Sequence, residues 1–454
     1  MTTDRTTRRL VELGRDASYE HLDAATVHEC KRRVIDTFAA ALGAYHEPDC
    51  IAARLIASRY LGVPDATIWG TAARTAPEIA AFVNGTMVRF LDVSDTYLGK
   101  GGGHPSDMTP ALFAVAESTG AAGRDVINAI VLAYDVYCSL NDAVDIGAQG
   151  WDQTLYAVLG TVVGAGKLAR LSAEELAHAI ALALTPNMGL RQTRQGELSS
   201  WKGCAGPNAA RNAVFAVQLA QAGFTGPSDV FEGKQGLWNV LGRFDWPLPD
   251  PHGPRRKVNE THIKSLPICY HGQSAAWCAL QLQPEVRGEE IERIEVMSYR
   301  TSVAMMGNDS SRWAPTTRET ADHSMPYVIA IALLDGKLTT QSFEGERWND
   351  PAVRELMRKV AVSESAELTA RYPQAAPSHV TVHLRSGKVL SREAAHPPGH
   401  AANPVSDGAL EEKFRAFFRE HGSDGQCDAV LRRLWTFEDV TDVRAEVLTP
   451  LALH

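Results

Sequence analysis

Four stretches of the chain carry residues that could move protons or hold anions. The first, Phe90 to Asp107 (FLDVSDTYLGKGGGHPSD), groups Asp92, Asp95, Thr96, His104, Ser106 and Asp107 around Gly99, Gly101, Gly102 and Gly103. Asp92 and Asp95 stand three apart at the end of a helical pattern, a spacing that lets both face one side. The glycines allow backbone to approach a ligand closely. A carboxylate with an imidazole is general acid–base equipment. The same composition also describes a capped helix, a surface turn and a solvated histidine. The segment lacks the Gly-Lys-Ser/Thr ending of a phosphate-cradling loop.

The second stretch, Arg191 to Arg211 (RQTRQGELSSWKGCAGPNAAR), places Arg191, Arg194, Lys202 and Arg211 in or beside a Gly/Ser loop. That loop runs toward an expected helix start at Pro207, and cations beside a helix N-terminus suit an anion. A solvated basic loop is the alternative. The third stretch, Lys264 to Gln273 (KSLPICYHGQ), carries Tyr270 and His271 just where the chain texture changes. Sites form preferentially between domains, although a histidine buried in a tight turn fits equally. The fourth, Thr317 to Tyr327 (TRETADHSMPY), holds Arg318, His323, Ser324 and Tyr327 before an apolar helix. There His323 and Ser324 read most simply as helix caps.

Two histidine pairs are not metal sites. His379 and His383 fall on an expected strand, where positions four apart are about 13 Å from each other. His396 and His400 are separated by Pro-Pro-Gly, which excludes a helical pair. No bound metal is expected. The sequons at Asn84, Asn259 and Asn308 have no secretion signal to make them relevant.

The elements that must position these residues are mainly helical. Val27, Cys30, Val34, Phe38 and Leu42 recur at helical spacing. Further helices are expected at Ile79–Phe90, Met108–Ser118, Asp125–Val136, Leu159–Leu171 and Pro207–Ala222. One at Ala173–Leu184 opens on the capping box Ser172/Glu175. Their many small residues imply closely packed helices, with no internal repeat. WPLPDPHGP, from Trp246, is a Pro-rich linker. Beyond it come a short helix at Ser274–Leu282, an alternating strand at Ile291–Tyr299, a helix at Pro326–Leu334 and two strand arms around Ser386-Gly387 within His379–Leu390. AHPPGHAANP, from Ala395, is a return linker. Helices at Leu410–Phe418 and Cys427–Leu434 must then pack back on the first domain, because two short helices cannot bury a core alone. The expected fold is mainly α. A large all-helical domain takes residues 1–265 and 400–454, and a smaller α+β lid domain takes 266–399.

Of 454 residues, 44% are hydrophobic and 22% charged, the composition of a soluble globular protein. No stretch approaches the roughly 18 uninterrupted apolar residues of a spanning helix. Residues 1–23 alternate charged and small side chains without an apolar core, so no signal peptide is expected. A net charge of −9 gives no global attraction to nucleic acid or anionic membrane. An anionic substrate would need a local cationic pocket. Seven scattered cysteines without CxxC point to a reducing cytoplasm and to neither a disulfide framework nor an iron–sulfur cluster.

Together the four stretches resemble the MmgE/PrpD family. The resemblance rests on NGTMVRFLDVSDTYL and GHPSD within 84–107, SSWKGCAGPNAARNAVFAVQLAQAGFTGP at 199–227, FEGKQGL at 231–237, KSLPICYHGQSA at 264–275 and ETADHSMPYVIAIALLDGKL at 319–338. It spans essentially the whole chain. It implies a helical domain built from both chain ends, a smaller α+β lid, a cleft active site, a homodimer and no metal or organic cofactor. The family includes 2-methylcitrate dehydratase, cis-aconitate decarboxylase and iminodisuccinate epimerase. The long Asp92–His104 loop, its His-Pro-Ser-Asp ending, and His271 followed by Gln273 resemble the dehydratases. That implies a hydro-lyase acting on 2-methylcitrate or a near tricarboxylate. A decarboxylase or epimerase, or a non-catalytic ligand-binding paralogue, is the alternative. By resemblance Asp92, His104, Lys202 and His271 are catalytic. Asp92 and His104 supply acid and base, and His271 closes the pocket from the lid side. Thr96, Arg194, Asp95 and Tyr327 bind or orient substrate. One departure stands out: the family often has a histidine in the stretch matching Trp151-Asp152-Gln153-Thr154, and here there is none.

Overall fold

The computed structural model describes residues 3–62 and 65–453, and its architecture is mainly α. Local signals act as their chemistry requires. Asp23 caps the helix Ala24–Gly43 by accepting from the Thr26 N–H, and Ser172 with Glu175 forms the reciprocal box that opens Ala173–Leu184. Several boundaries differ from the sequence expectation: the helix expected at Leu159–Leu171, for example, runs Thr154–Leu168. The helix expected at Asp125–Val136 runs Gly123–Ala143. The helix expected to start at Pro207 starts at Trp201, runs to Gln221 and carries Pro207 inside it.

The first hydrophobic core is built from these helices and includes Phe38, Leu112, Ile130, Leu159 and Val214. Small residues set its spacing. A Cβ on Gly160 or Gly164 of the helix Thr154–Leu168 would lie 2.7 or 2.9 Å from the carbonyl oxygens of Ala133 and Ala129. The neighbouring helix therefore packs backbone to backbone. Both tail helices, Asp407–Phe418 and Asp424–Trp435, return to this core through Leu410, Phe414, Leu431 and Leu434. Lys413 on the first of them reaches furthest. Its Nζ lies 2.6 Å from Asp36 Oδ1 and donates to the carbonyls of Val93 (2.8 Å) and Lys264 (3.0 Å).

A second core lies around a four-stranded sheet in the order Val360–Glu364, Ile291–Ser298, Ser378–Leu384, Val389–Ala394. The first pair is parallel and the others are antiparallel. Burial alternates strictly along Ser378–Leu384, so Val380, Val382 and Leu384 join Ile294 and Val296 in the core with the helices Gln273–Val286 and Met325–Asp335. The strand Val360–Glu364 carries no alternation strong enough to have been expected. His379 and His383 sit on the less buried face of their strand. Among the described residues no helix is long and apolar enough to cross a membrane, and all seven cysteines are buried and unpaired.

Candidate functional site

The two cores meet at a cavity of about 140 Å³. Asp92, Thr96, His104, Arg194 and Lys202 line it from the first core's side, and Cys269, His271 and His323 from the second's. Lys264 and Arg191 complete its cationic wall.

Asp92 follows the end of the helix Pro77–Phe90, in the left-handed region at φ 53°. A non-glycine residue there is strained and must be held by its surroundings. Ion pairs do the holding. The carboxylate lies 2.9 Å from Lys264 Nζ, 3.3 Å from Arg89 Nη1 and 3.6 Å from Lys202 Nζ. Lys264 also donates to the Asp92 carbonyl at 3.0 Å. Burial alone would raise the carboxyl pKa, but Lys202, Lys264 and Arg89 outweigh it and hold Asp92 well below the usual carboxylate range. Asp92 is therefore an anion that gathers cations.

The glycine loop closes through paired bonds between Tyr97 and Gly103, 2.8 and 3.1 Å. Its glycines are needed for packing against helices as well as for lining the cavity. A Cβ at Gly103 would lie 2.0 Å from Tyr137 Oη, and one at Gly101 would lie 2.6 Å from Tyr156 Oη. The loop returns the chain to His104, whose Nδ1 lies 2.7 Å from the Asp95 carbonyl. A carbonyl only accepts, so this bond assigns the proton to Nδ1 and leaves the lone pair on Nε2. Burial, with repulsion from Arg89 and Lys264, keeps the imidazole pKa well below the ordinary histidine value. His104 is uncharged and has a free basic nitrogen.

Lys202 occupies the first turn of the helix Trp201–Gln221 and is 3% exposed. It does not lie in a solvated loop. Its Nζ lies between Asp92 and Asp322, 3.6 and 3.5 Å from their oxygens. Arg194 lines the cavity, but its guanidinium is already engaged. Nε and Nη2 bond Asp152 at 2.8 and 3.3 Å, and Nη1 donates to the Lys202 carbonyl at 2.7 Å. Among the described residues Arg191 pairs with no carboxylate, which leaves it the less committed arginine of the wall.

On the second core's side, His271 Nδ1 lies 2.7 Å from Tyr299 Oη. Burial, then His323, Lys264 and Arg191, press its pKa down to about 3. Ser324 caps the helix Met325–Asp335 as its sequence position suggests, but His323 does not cap. It faces the cavity, with Nδ1 hydrogen-bonded to Asp322.

The site expected from sequence is thus partly reassigned. Asp92, Thr96, His104, Arg194, Lys202 and His271 do share the cavity. The Thr96 hydroxyl donates to the Gly103 carbonyl at 2.9 Å, so it holds the loop. Asp95 lies outside the lining because the chain leaves helical geometry before it. Its carboxylate accepts from the Ser106 N–H (2.9 Å) and Tyr134 Oη (2.8 Å). Tyr327 is also outside: it is fully buried in the second core, its hydroxyl donating to the Ser342 carbonyl. Lys264, Cys269 and Asp322 were not singled out from sequence, and His323 was read as a helix cap. Local spacing also misses a cluster assembled over 230 residues, in which donor atoms of Asp92, Asp322 and His323 lie within 4.8 Å of one another. The Lys202 ammonium already compensates both carboxylates of that cluster.

Comparison with known proteins agrees with this architecture. The MmgE/PrpD N-terminal domain matches residues 8–247 and the MmgE/PrpD C-terminal domain residues 266–436. A mitochondrial 2-methylcitrate dehydratase of Yarrowia lipolytica is 28% identical over 393 residues, covering 81% of this chain and 75% of its own. A 2-methylcitrate dehydratase of Salmonella typhimurium is 27% identical over 418 residues, 86% of this chain and 85% of its own. A cis-aconitate decarboxylase of Mus musculus is 26% identical over 415 residues, 86% of this chain and 82% of its own. Two consecutive domain matches that span most of its length show that the chain belongs to the MmgE/PrpD family.

Proposed function

We propose that the protein is a hydro-lyase that removes water from 2-methylcitrate, or a closely related tricarboxylate, to give a cis-aconitate-type alkene. The observation that carries this reading is an uncharged imidazole, His104, in one small cavity with Lys202, Lys264 and Arg191. Taking a proton from carbon beside a carboxylate builds a second negative charge on that carboxylate. Fixed cations around the developing enediolate are the largest available stabilisation. His104 Nε2 is the base. Lys202, Lys264 and Arg191 hold the carboxylates, and Arg194 positions Lys202 through its backbone. Asp92, anionic and weakly basic, keeps the ammonium groups in place. Catalysis uses these groups without a metal, since a divalent ion between Asp92, Asp322 and His323 would have to displace Lys202 against like charge.

The names of the relatives support the substrate class. The family resemblance supports a lid role for the α+β region and a homodimer, and the seven unpaired cysteines support a reducing compartment such as the cytoplasm. Asp152, at the position where the family often presents a histidine, is fully buried, bonded to Arg194 and outside the cavity lining. The decarboxylase reading is therefore disfavoured. The test is product NMR on 2-methylcitrate, citrate, cis-aconitate and iminodisuccinate, with and without EDTA. Alkene from a tricarboxylate alcohol, little itaconate from cis-aconitate and no effect of EDTA are expected. Itaconate formed as fast as the alkene would make the protein a decarboxylase. Activity lost in EDTA and restored by a metal would overturn the metal-free mechanism. Saturable binding without turnover would make it a binding paralogue.

A further inference from the structure

A hydroxyl leaves poorly as hydroxide, so dehydration needs a proton donor as well as a base. His104 cannot be both, because its free nitrogen must be empty to accept the carbon-bound proton. Asp92 is anionic and His271 uncharged, so neither donates. The second core's side of the cavity carries another titratable group. His323 is buried, lines the cavity and is backed by Asp322, which accepts from its Nδ1. Asp322 is itself fixed. Lys202 Nζ lies 3.5 Å from its Oδ1, Arg318 Nη1 lies 3.7 Å from its Oδ2, and its carbonyl accepts from the Cys269 N–H at 3.0 Å. Cys269 lines the same side of the cavity as His323.

We propose that His323, braced by Asp322, is the general acid that protonates the departing hydroxyl in the cavity it shares with His104. This rests on the dehydratase reading. The groups facing His323 set its charge. Burial and Lys202 disfavour the imidazolium, but Cys269 and Asp322 outweigh them, and its pKa lies above the ordinary histidine value. Asp92 and His271 complete its charged and titratable surroundings. Burial would raise the Cys269 thiol, yet His323 draws it below its usual value.

The step balances. His104 Nε2 takes the proton, and the C–H electron pair passes through the enediolate into the new C=C bond. The C–O bond breaks, and its electron pair leaves on oxygen, which takes the His323 proton to become water. His323 ends neutral and His104 protonated, and exchange with solvent resets both. The imidazolium is present below its pKa and lost above it, so wild-type turnover should fall on the alkaline side.

His323→Asn tests the assignment with two tricarboxylates, the alcohol and its analogue carrying chloride in place of hydroxyl. Chloride leaves unprotonated. The variant should lose dehydration by at least about 100-fold, as expected when a general acid is removed. It should keep chloride elimination and the exchange of the substrate carbon-bound proton with deuterated solvent. Asp322→Asn should move the alkaline limb to lower pH, which decides the matter if His323→Asn fails to fold. Retained dehydration in His323→Asn, or equal loss of both eliminations and of exchange, would overturn the role, as would an unmoved limb in Asp322→Asn. If wild type eliminates water from no tricarboxylate, the dehydratase reading falls and this role with it. If wild type dehydrates and His323→Asn does so equally, only this role falls.

Discussion

Removing the Lys202 ammonium would leave Asp92 and Asp322, 1% and 0% exposed, facing each other without their shared cation. Two effects follow from one substitution. Lys202→Ala should lower kcat/KM by roughly 100-fold, about 2–3 kcal/mol of transition-state stabilisation. It should also cost stability, on the order of 3–5 kcal/mol, because buried anions lose their partner. Lys202→Ala with Asp92→Asn should recover part of the stability and none of the turnover. Steady-state kinetics and denaturant unfolding separate the two, and a kcat/KM within about threefold of wild type would reduce Lys202 to a structural ion. The site itself was only half legible. Residue type and spacing brought Asp92, His104, Lys202 and His271 into view, because short runs carried both the chemistry and the turn that presents it, and the family resemblance then implied their roles. Spacing could not give direction. Asp95 and Tyr327 have the right chemistry and point elsewhere, whereas His323 was hidden behind the capping role that belongs to Ser324.

At the scale of elements, the sequence reading was most accurate where one physical signal dominated. The capping box at Ser172 placed the helix Ala173–Leu184 to the residue. Pro207 misled because proline favours the first helical turn, yet here it stands inside a helix and its ring packs where Gly85 leaves room: a Cβ there would come within 2.7 Å. That shift moves Lys202 from a loop into a buried first turn. The helix Gly123–Ala143 carries a second unanticipated charge, Asp135, fully buried beside Arg255 and bonded by the Lys257 N–H at 3.2 Å. Burial outweighs Arg255 and Lys257 and raises its carboxyl from 3.8 to about 7. A folded pKa above the unfolded one favours the protonated native state. That stability is complete below 3.8 and erodes as pH rises to about 7. Asp135→Asn, which mimics the protonated form, should gain on wild type as pH rises from 5 to 8, by roughly 2–3 kcal/mol. Thermal unfolding at several pH values checks this, and parallel curves for the two proteins would refute the assignment.

For the whole molecule, the cavity depends on segments far apart in the chain. Lys413, from the tail, bonds the carbonyls of Val93 and Lys264, one residue from Asp92 and at the second lysine of the wall. The cavity then joins groups beside the first core to His271 and His323 of the second. A ligand seated there touches both cores and binds only when they are assembled. Tricarballylate offers three carboxylates and no hydroxyl, so it can occupy the site without losing water. At about 100 times its Kd it should add roughly 2.7 kcal/mol to the stability of the folded state. The gain should appear as a higher Tm in one unfolding transition, since the ligand couples the cores. In Lys202→Ala the same concentration should shift Tm far less, because one carboxylate loses its cation. A monocarboxylate such as propionate should have little effect, as it cannot engage Lys202, Lys264 and Arg191 together. Equal shifts from propionate and tricarballylate would mean that the cavity does not select polycarboxylates. A stabilised early transition with an unchanged late one would mean that the ligand rests on one core alone.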